Sequence, residues 1–298
     1  MSLIALKIDV DTLRGTREGV PRLAELLERV EARATFLFSL GPDHTGRAIK
    51  RAFRRGFLGK VKRTSVVQHY GLKTLMYGVL LPGPHIGRRC QRIMQDIAAR
   101  GFEVGVHTYD HVRWQDGVAS ANESWTRREL TLARDAFADV FARRPVVHGA
   151  AGWQMNAGVP ALEQELGFRY ASDARGTCPF VPVVNGTAVA VPQLPTTLPT
   201  LDELIGRADL HGVDPVDHLL ALTADSPDGD HVFTLHAELE GGAYLGSFER
   251  LLRTWRARGV RLTDLATYAA RLDVEGLPRC QIVAGSVAGR SGTVASQS

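Results

Sequence analysis

The chain has 298 residues, 44% apolar and 23% charged, which excludes wholesale disorder and fibrous classes and is enough for one large α/β domain. Cys90, Cys178 and Cys280 lie far apart with no CxxC pair, which argues against a disulfide framework or a cysteine-based zinc site and for a reducing compartment. The net charge of +4 is unevenly spread: His44–Gln95 holds 12 of the 36 Lys and Arg and no acid, so the other 24 face all 32 Asp and Glu.

In chain order, Leu3–Val10 is apolar and β-rich, as a buried strand is. VPRLAELLERV then repeats Val20, Leu23, Leu26, Leu27 and Val30 at helical spacing, and Ala34–Leu40 reads as a second strand. Strand, helix and strand in this order make a βαβ unit and imply a parallel sheet. The basic segment follows. Within it Ile49, Phe53, Phe57 and Val61 recur every four residues among cations, an amphipathic stripe suited to an anionic lipid surface. Val66–Leu81 is largely apolar, too short to span a bilayer but able to lie in its interface.

The alternation resumes with a helix over Ile86–Arg100, a strand over Phe102–Val106, a long helix over Glu123–Phe141 and a short strand over Pro145–Val147. Val159–Leu166 reads as a helix, Arg169–Ser172 as a short strand and Ala188–Leu194 as a strand within Pro-rich chain. Pro215–Thr223 (helix), His231–His236 (strand), Phe248–Arg258 (helix), Arg261–Leu262 (strand) and Leu265–Leu272 (helix) complete the pattern. Residues 282–298 are small and polar and read as a disordered tail. About seven strands alternating with helices predict a parallel α/β barrel, imperfectly closed, or an open doubly wound sheet. No run of 18 apolar residues and no signal-peptide core is present, so a cytoplasmic protein is expected.

Polar residues at the ends of apolar strands locate the chemistry, because ligands gather at the carboxyl ends of parallel strands. Asp9 and Asp11 end the first strand at i and i+2, so both carboxylates can face one pocket. His107 and His111 follow the strand FEVGV at i and i+4, a spacing that lets two imidazoles share a metal. His236 ends HVFTLH, with Glu238 and Glu240 just beyond, and Ser172-Asp173 follows the short strand FRYAS. Singly, each has a bland reading: a capping acid pair, loop histidines, a core histidine, a turn. Together, one Asp and two neutral His supply three ligands for a divalent cation. The other Asp can then act as base, and His236 as acid toward a leaving group. That set suits hydrolysis of an amide or ester.

The order D-x-D, H-[ST]-x-x-H, a mid-chain aromatic loop, an S-D turn and a late L-H resembles the NodB-homology polysaccharide deacetylases of carbohydrate esterase family 4. The stretches KIDVDTLRGTREGVPRL, ATFLFSLGPDHTGR, EVGVHTYDH, AAGWQ, RYASDARG, PTTLPT, DELIGR and HAELEG are similar to its deformylase subfamily, which acts on undecaprenyl-phosphate-linked 4-deoxy-4-formamido-L-arabinose. They run from Lys7 to Gly241.

The resemblance implies a deformed (β/α) barrel of about seven parallel strands over 1–281. It carries a basic amphipathic membrane-docking insertion at 44–85, after the second strand. It also implies Asp9 as general base, Asp11, His107 and His111 as metal ligands, His236 as general acid and Asp173 as the acid that tunes it. The cofactor implied is one divalent metal ion, zinc by preference, with cobalt, manganese or iron as alternatives.

The family usually has adjacent acids, where Val10 intervenes here, and an Arg in the mid-chain motif that orients the base. Gly149–Trp153 contains no Arg, and Arg175 is a candidate substitute. Trp153, Arg175 and Glu238 are candidate substrate contacts, and Arg51, Arg54, Arg55 and Lys62 candidate membrane or phosphate contacts. The implied partners are a lipid-linked amino sugar and the anionic cytoplasmic face of the inner membrane, with no nucleic acid. The alternatives are a polysaccharide or peptidoglycan N-deacetylase and, outside enzymes, a membrane- or nucleic-acid-binding protein.

Overall fold

The first strand, β1 (Leu3–Val10), is buried at all eight positions, and its two faces meet different surroundings. Ile4, Leu6, Ile8 and Val10 belong to the large apolar cluster beneath the helices, whereas Leu3 and Ala5 belong to a second cluster on the opposite face. A period of two therefore puts Lys7 and Asp9 on that second, barrel-interior face. In the computed structural model, which describes residues 2–48, 72–224 and 229–298, this strand organises everything else.

Among the described residues seven strands, all parallel, form one curled sheet in the order β5 (Tyr170–Ala171), β4 (Val147–His148), β3 (Glu103–Thr108), β2 (Thr35–Ser39), β1 and β8 (His231–His236), with β9 (Arg261–Thr263) also on β1. Ile4 and Ala5 pair with β8 on one edge and β9 on the other, and β2 takes over from Lys7 onward. The helices Val20–Arg29, Ile86–Ala99 and Glu123–Phe141 cover the outer face. They bury Leu23, Leu26 and Leu27, then Cys90, Met94 and Ile97, then Ala133, Phe137 and Val140. The deformed barrel read from the sequence is the observed architecture.

The gap between the edge strands β5 and β8 is sealed by irregular chain. Leu194 N donates to Ala171 O, and Thr197 N donates to Val232 O. The strand expected over Ala188–Leu194 is confined to β7 (Thr187–Ala188), which pairs with β6 (Val181–Val184) in a small sheet that also holds β10 (Arg279–Cys280). Pro192, Pro195 and Pro199 explain the difference, since a proline donates nothing to a ladder.

The expected disordered tail is a correction. Residues 282–298 carry an antiparallel pair, β11 (Ile282–Gly285) and β12 (Val294–Gln297). Its small residues anchor it through backbone: Arg175 N donates to Ala295 O and Gln297 N donates to Arg175 O, while Ala295 packs with Ala174 and Phe180. Composition alone misses such docking, because it needs few apolar side chains.

Most of the basic stripe, with Arg51, Arg54, Arg55 and Lys62, lies outside the described residues. Among those described, no helix is long and apolar enough to cross a membrane.

In β3, a Cβ added at Gly105 would sit 2.3 Å from Val147 Cγ1 and 2.8 Å from Val147 O. Gly105→Ala is therefore expected to lower stability by about 1–3 kcal/mol in urea denaturation, as overpacking does. An unchanged midpoint would contradict this packing of β3 on β4.

Candidate active site

The carboxyl ends of β1, β3 and β8 converge, as ligand sites in parallel sheets require. Asp9 lies directly across from His236 in the β1–β8 register, and Asp11 follows β1. His107 is within β3. His111 opens the helix His111–Gly117, whose start is fixed by Asp110: its Oδ1 accepts from Arg113 N at 3.1 Å. His44 Nδ1 in turn lies 2.6 Å from Asp110 Oδ2, so this cap is itself held in place.

Three electron-pair donors meet here. Asp11 Oδ1 lies 3.2 Å from His107 Nε2 and 3.4 Å from His111 Nε2. A carbonyl can only accept, so the 2.6 Å contact between His107 Nδ1 and Gly149 O fixes the proton on Nδ1 and leaves Nε2 with its lone pair. Burial pulls the His111 pKa below the usual imidazole value, outweighing Asp11, and keeps that ring neutral. Asp11 Oδ1 is buried without a hydrogen-bond partner. A carboxylate oxygen with no donor, facing two imidazole nitrogens, fits a divalent cation of zinc type.

Beside this cluster, Lys7 is fully buried within a strand. Its Nζ donates to Ser172 O at 2.7 Å and stands 3.6 Å from Asp9 Oδ2. Gly149 makes the room: a Cβ there would fall 3.1 Å from Lys7 Cε. The cation beside Asp9 is thus Lys7, a residue the sequence reading passed over, and not Arg175. Arg175 Nη1 donates to Glu203 Oε1 at 2.8 Å and Nη2 to Leu198 O at 3.0 Å.

Asp173 also sits elsewhere than the sequence suggested. Its Oδ1 accepts from Ala150 N at 2.7 Å and lies 3.0 Å from His148 Nδ1, and its Oδ2 accepts from Gln193 Nε2 at 2.7 Å. Burial raises the Asp173 pKa, but His148, Glu163 and Gln193 bring it down to about 2. Asp173 therefore holds the loop whose Gly149 carbonyl orients His107. The carboxylate that faces His236 Nδ1, at 3.7 Å, is Asp202. Burial lowers the His236 pKa, but Asp202, Asp11, Asp9 and Glu240 outweigh it and raise it to about 9, so the ring carries a proton at neutral pH.

Trp153 lies edge-on to the His236 ring at 6.3 Å and donates from Nε1 to Thr196 Oγ1. Glu238 Oε1 accepts from Asp11 N, Thr12 N and Thr12 Oγ1, which places Glu238 behind the turn that presents Asp11. Burial pushes the Glu238 carboxyl up to about 8.

Residues 3–171 match the family model described as polysaccharide deacetylase. The chain belongs to the polysaccharide deacetylase family. It is a hydrolase of amide C–N bonds. Over 294 residues the chain is 33% identical to the probable 4-deoxy-4-formamido-L-arabinose-phosphoundecaprenol deformylase ArnD of Shewanella sediminis, covering 99% of this chain and 94% of that one. It is 30% identical to the like-named protein of Wigglesworthia glossinidia brevipalpis, over 95% and 98% of the two chains. Among solved structures, a Mycobacterium smegmatis chain described as a polysaccharide deacetylase superposes with a TM-score of 0.68 at 19% identity, over 96% and 95% of the chains. The Bc1960 peptidoglycan N-acetylglucosamine deacetylase superposes with a TM-score of 0.52 at 14% identity, over 89% and 86%. These two likenesses concern the fold alone.

Three residues escaped the sequence reading. A lysine two positions before Asp9 in an apolar strand was a readable signal for Lys7. Asp202 and the cap residue Asp110 lie within DELIGR and EVGVHTYDH but have no pattern of their own, since only the fold brings the first to His236 and a helix boundary defines the second.

Replacing His107 by Ala is expected to abolish stoichiometric retention of zinc by the purified protein, measured by inductively coupled plasma mass spectrometry. A one-to-one zinc content in that variant would refute the donor set.

Proposed function

We propose that the protein removes the N-formyl group from undecaprenyl-phosphate-linked 4-deoxy-4-formamido-L-arabinose, giving formate and the lipid-linked 4-amino-4-deoxy sugar. Asp11, His107 and His111 are the residues that would hold the metal ion. A divalent cation there supplies Lewis acidity, polarising an amide carbonyl and acidifying water. Asp9, with a buried Oδ1 that has no hydrogen-bond partner, is placed to take the proton from the attacking water. Lys7 keeps the Asp9 carboxylate turned into the pocket through its 3.6 Å ion pair on Oδ2. His236 is placed to hand its proton to the departing sugar nitrogen. Trp153 forms an apolar wall beside that transfer and limits water there.

One observation carries the reading. A base, a metal-type donor set and a protonated imidazole stand together in a chain that aligns along nearly its whole length with a protein named as this deformylase. The substrate's polyprenyl phosphate accounts for a further feature. Val79, Leu80 and Leu81 are 38%, 77% and 38% exposed, next to a segment rich in cations. An apolar, cation-flanked surface of this kind suits an anionic bilayer and a lipid phosphate. This supports action at the cytoplasmic face of the inner membrane, with the product later transferred to lipid A and so serving polymyxin resistance.

The test is to incubate the zinc-loaded protein with the lipid-linked formamido sugar in vesicles and quantify formate with a formate dehydrogenase. Stoichiometric formate is expected, with the N-acetyl analogue turned over far more slowly. No formate, or equal rates on both, would overturn the assignment and return the protein to a general N-deacetylase.

A further inference from the structure

The C-terminal hairpin does more than pack on the barrel. Between β11 and β12 the chain turns back toward the site, with Gln154 Nε2 donating to Thr293 O at 2.7 Å. The turn is seated tightly. Gly289 has φ +87°, and a Cβ on it would fall 2.0 Å from Glu203 O. Only glycine accepts both that conformation and that approach. The next residue, Arg290, is delivered onto the Trp153 ring, 4.5 Å from its centroid. Its Nη1 lies 3.8 Å from Asp202 Oδ2 and 3.4 Å from Glu203 Oε1.

These contacts form a line into the site. Asp202 Oδ2 is toward Arg290, while Asp202 Oδ1 faces His236 Nδ1 at 3.7 Å and accepts from Thr200 Oγ1 at 2.6 Å. Thr200 and Glu203 form a capping box that fixes the start of the helix Leu201–Leu204. Asp202 thus has a partner at each oxygen, Thr200 at one and Arg290, 88 positions later in the chain, at the other. The Asp202 side chain is 43% exposed, so without Arg290 the carboxylate keeps its Thr200 hydrogen bond but loses the cation that holds Oδ2. Trp153 gives the guanidinium a flat seat, which narrows its geometry further.

We infer that the hairpin is part of the active site: Arg290 fixes Asp202, and Asp202 fixes the imidazole of His236. Arg290 is a positioning residue, acting through Asp202 on the proton donor. The inference rests on the assignment of His236 as that donor.

The test compares Arg290→Gln, Arg290→Lys, Gly289→Ala and Asp202→Asn with the wild type, all zinc-loaded and full length. Two readouts are used: imidazole nitrogen NMR signals in ¹⁵N-histidine-labelled protein, and steady-state kinetics on the formamido substrate. In Arg290→Gln and Gly289→Ala the His236 signals should move toward their Asp202→Asn positions, while those of His107 and His111 stay. kcat should fall by about tenfold with KM within about twofold, the pattern of a group acting in the transition state. Arg290→Lys, which keeps the charge but not the planar seat on Trp153, should fall between Arg290→Gln and the wild type in both. His236 signals unmoved in Arg290→Gln, or an Arg290→Lys variant no better than Arg290→Gln, would overturn the inference. If the wild type itself releases no formate, the substrate assignment falls, and the NMR comparison still decides the role of Arg290.

Discussion

Buried negative charge at the end of one strand is the constraint on which the rest of this structure depends. Asp9 and Asp11 stand where β1 leaves the sheet, Asp9 with 2% of its surface exposed, and each keeps one oxygen without a hydrogen-bond donor. Removing a carboxylate from water costs several kcal/mol unless opposite charge returns it. The surroundings supply that charge in two directions. Lys7, two residues back on the same face, meets the outer oxygen of Asp9. The imidazole nitrogens of His107 and His111 meet Asp11, but as lone pairs they cannot neutralise it, which leaves a charge that a divalent cation would balance.

Much of this was legible because it follows from strand period and strand order. Asp9 and Asp11 at i and i+2, His107 at the end of FEVGV and His236 at the end of HVFTLH all lie on carboxyl ends, which parallel pairing brings to one side. The outer helices were legible for the same kind of reason: Glu123–Phe141 and Val159–Leu166 have the bounds their spacing predicts. What failed to show in the sequence depends on irregular chain. Gln193–Leu198 closes the barrel without the pattern of a strand. Asp202 reaches His236 from a four-residue helix, and Arg290 arrives from a segment whose composition reads as disorder. Asp173 was recognised as important, yet its hydrogen bonds show a different task, holding the loop that orients His107.

Loop 149–153 links these parts. Gly149 O fixes the His107 tautomer, Gly149 leaves space for Lys7, Ala150 N is tied to Asp173, and Trp153 stacks under Arg290 near His236. Asp11 with its two histidines, Asp9 and His236 are therefore all referenced to one short stretch. Its neighbours behind, His148 with Glu163 and Asp173, form a buried ionic group that stiffens it: burial lowers the His148 pKa, yet Asp173 and Glu163 raise it to about 10. A conformational change in this loop would move all three functions together.

The central claim is that this pocket is built around a cation, and thermal unfolding of the metal-stripped protein with and without zinc tests it most directly. A cation bound only by the folded state adds about 4 kcal/mol when free metal exceeds its dissociation constant a thousandfold. The midpoint should rise with zinc and saturate at one equivalent. Asp11→Asn should abolish this response while making the metal-free protein more stable than the metal-free wild type, because the uncompensated charge is gone. An identical midpoint with and without zinc, or a zinc response that persists in Asp11→Asn, would contradict it.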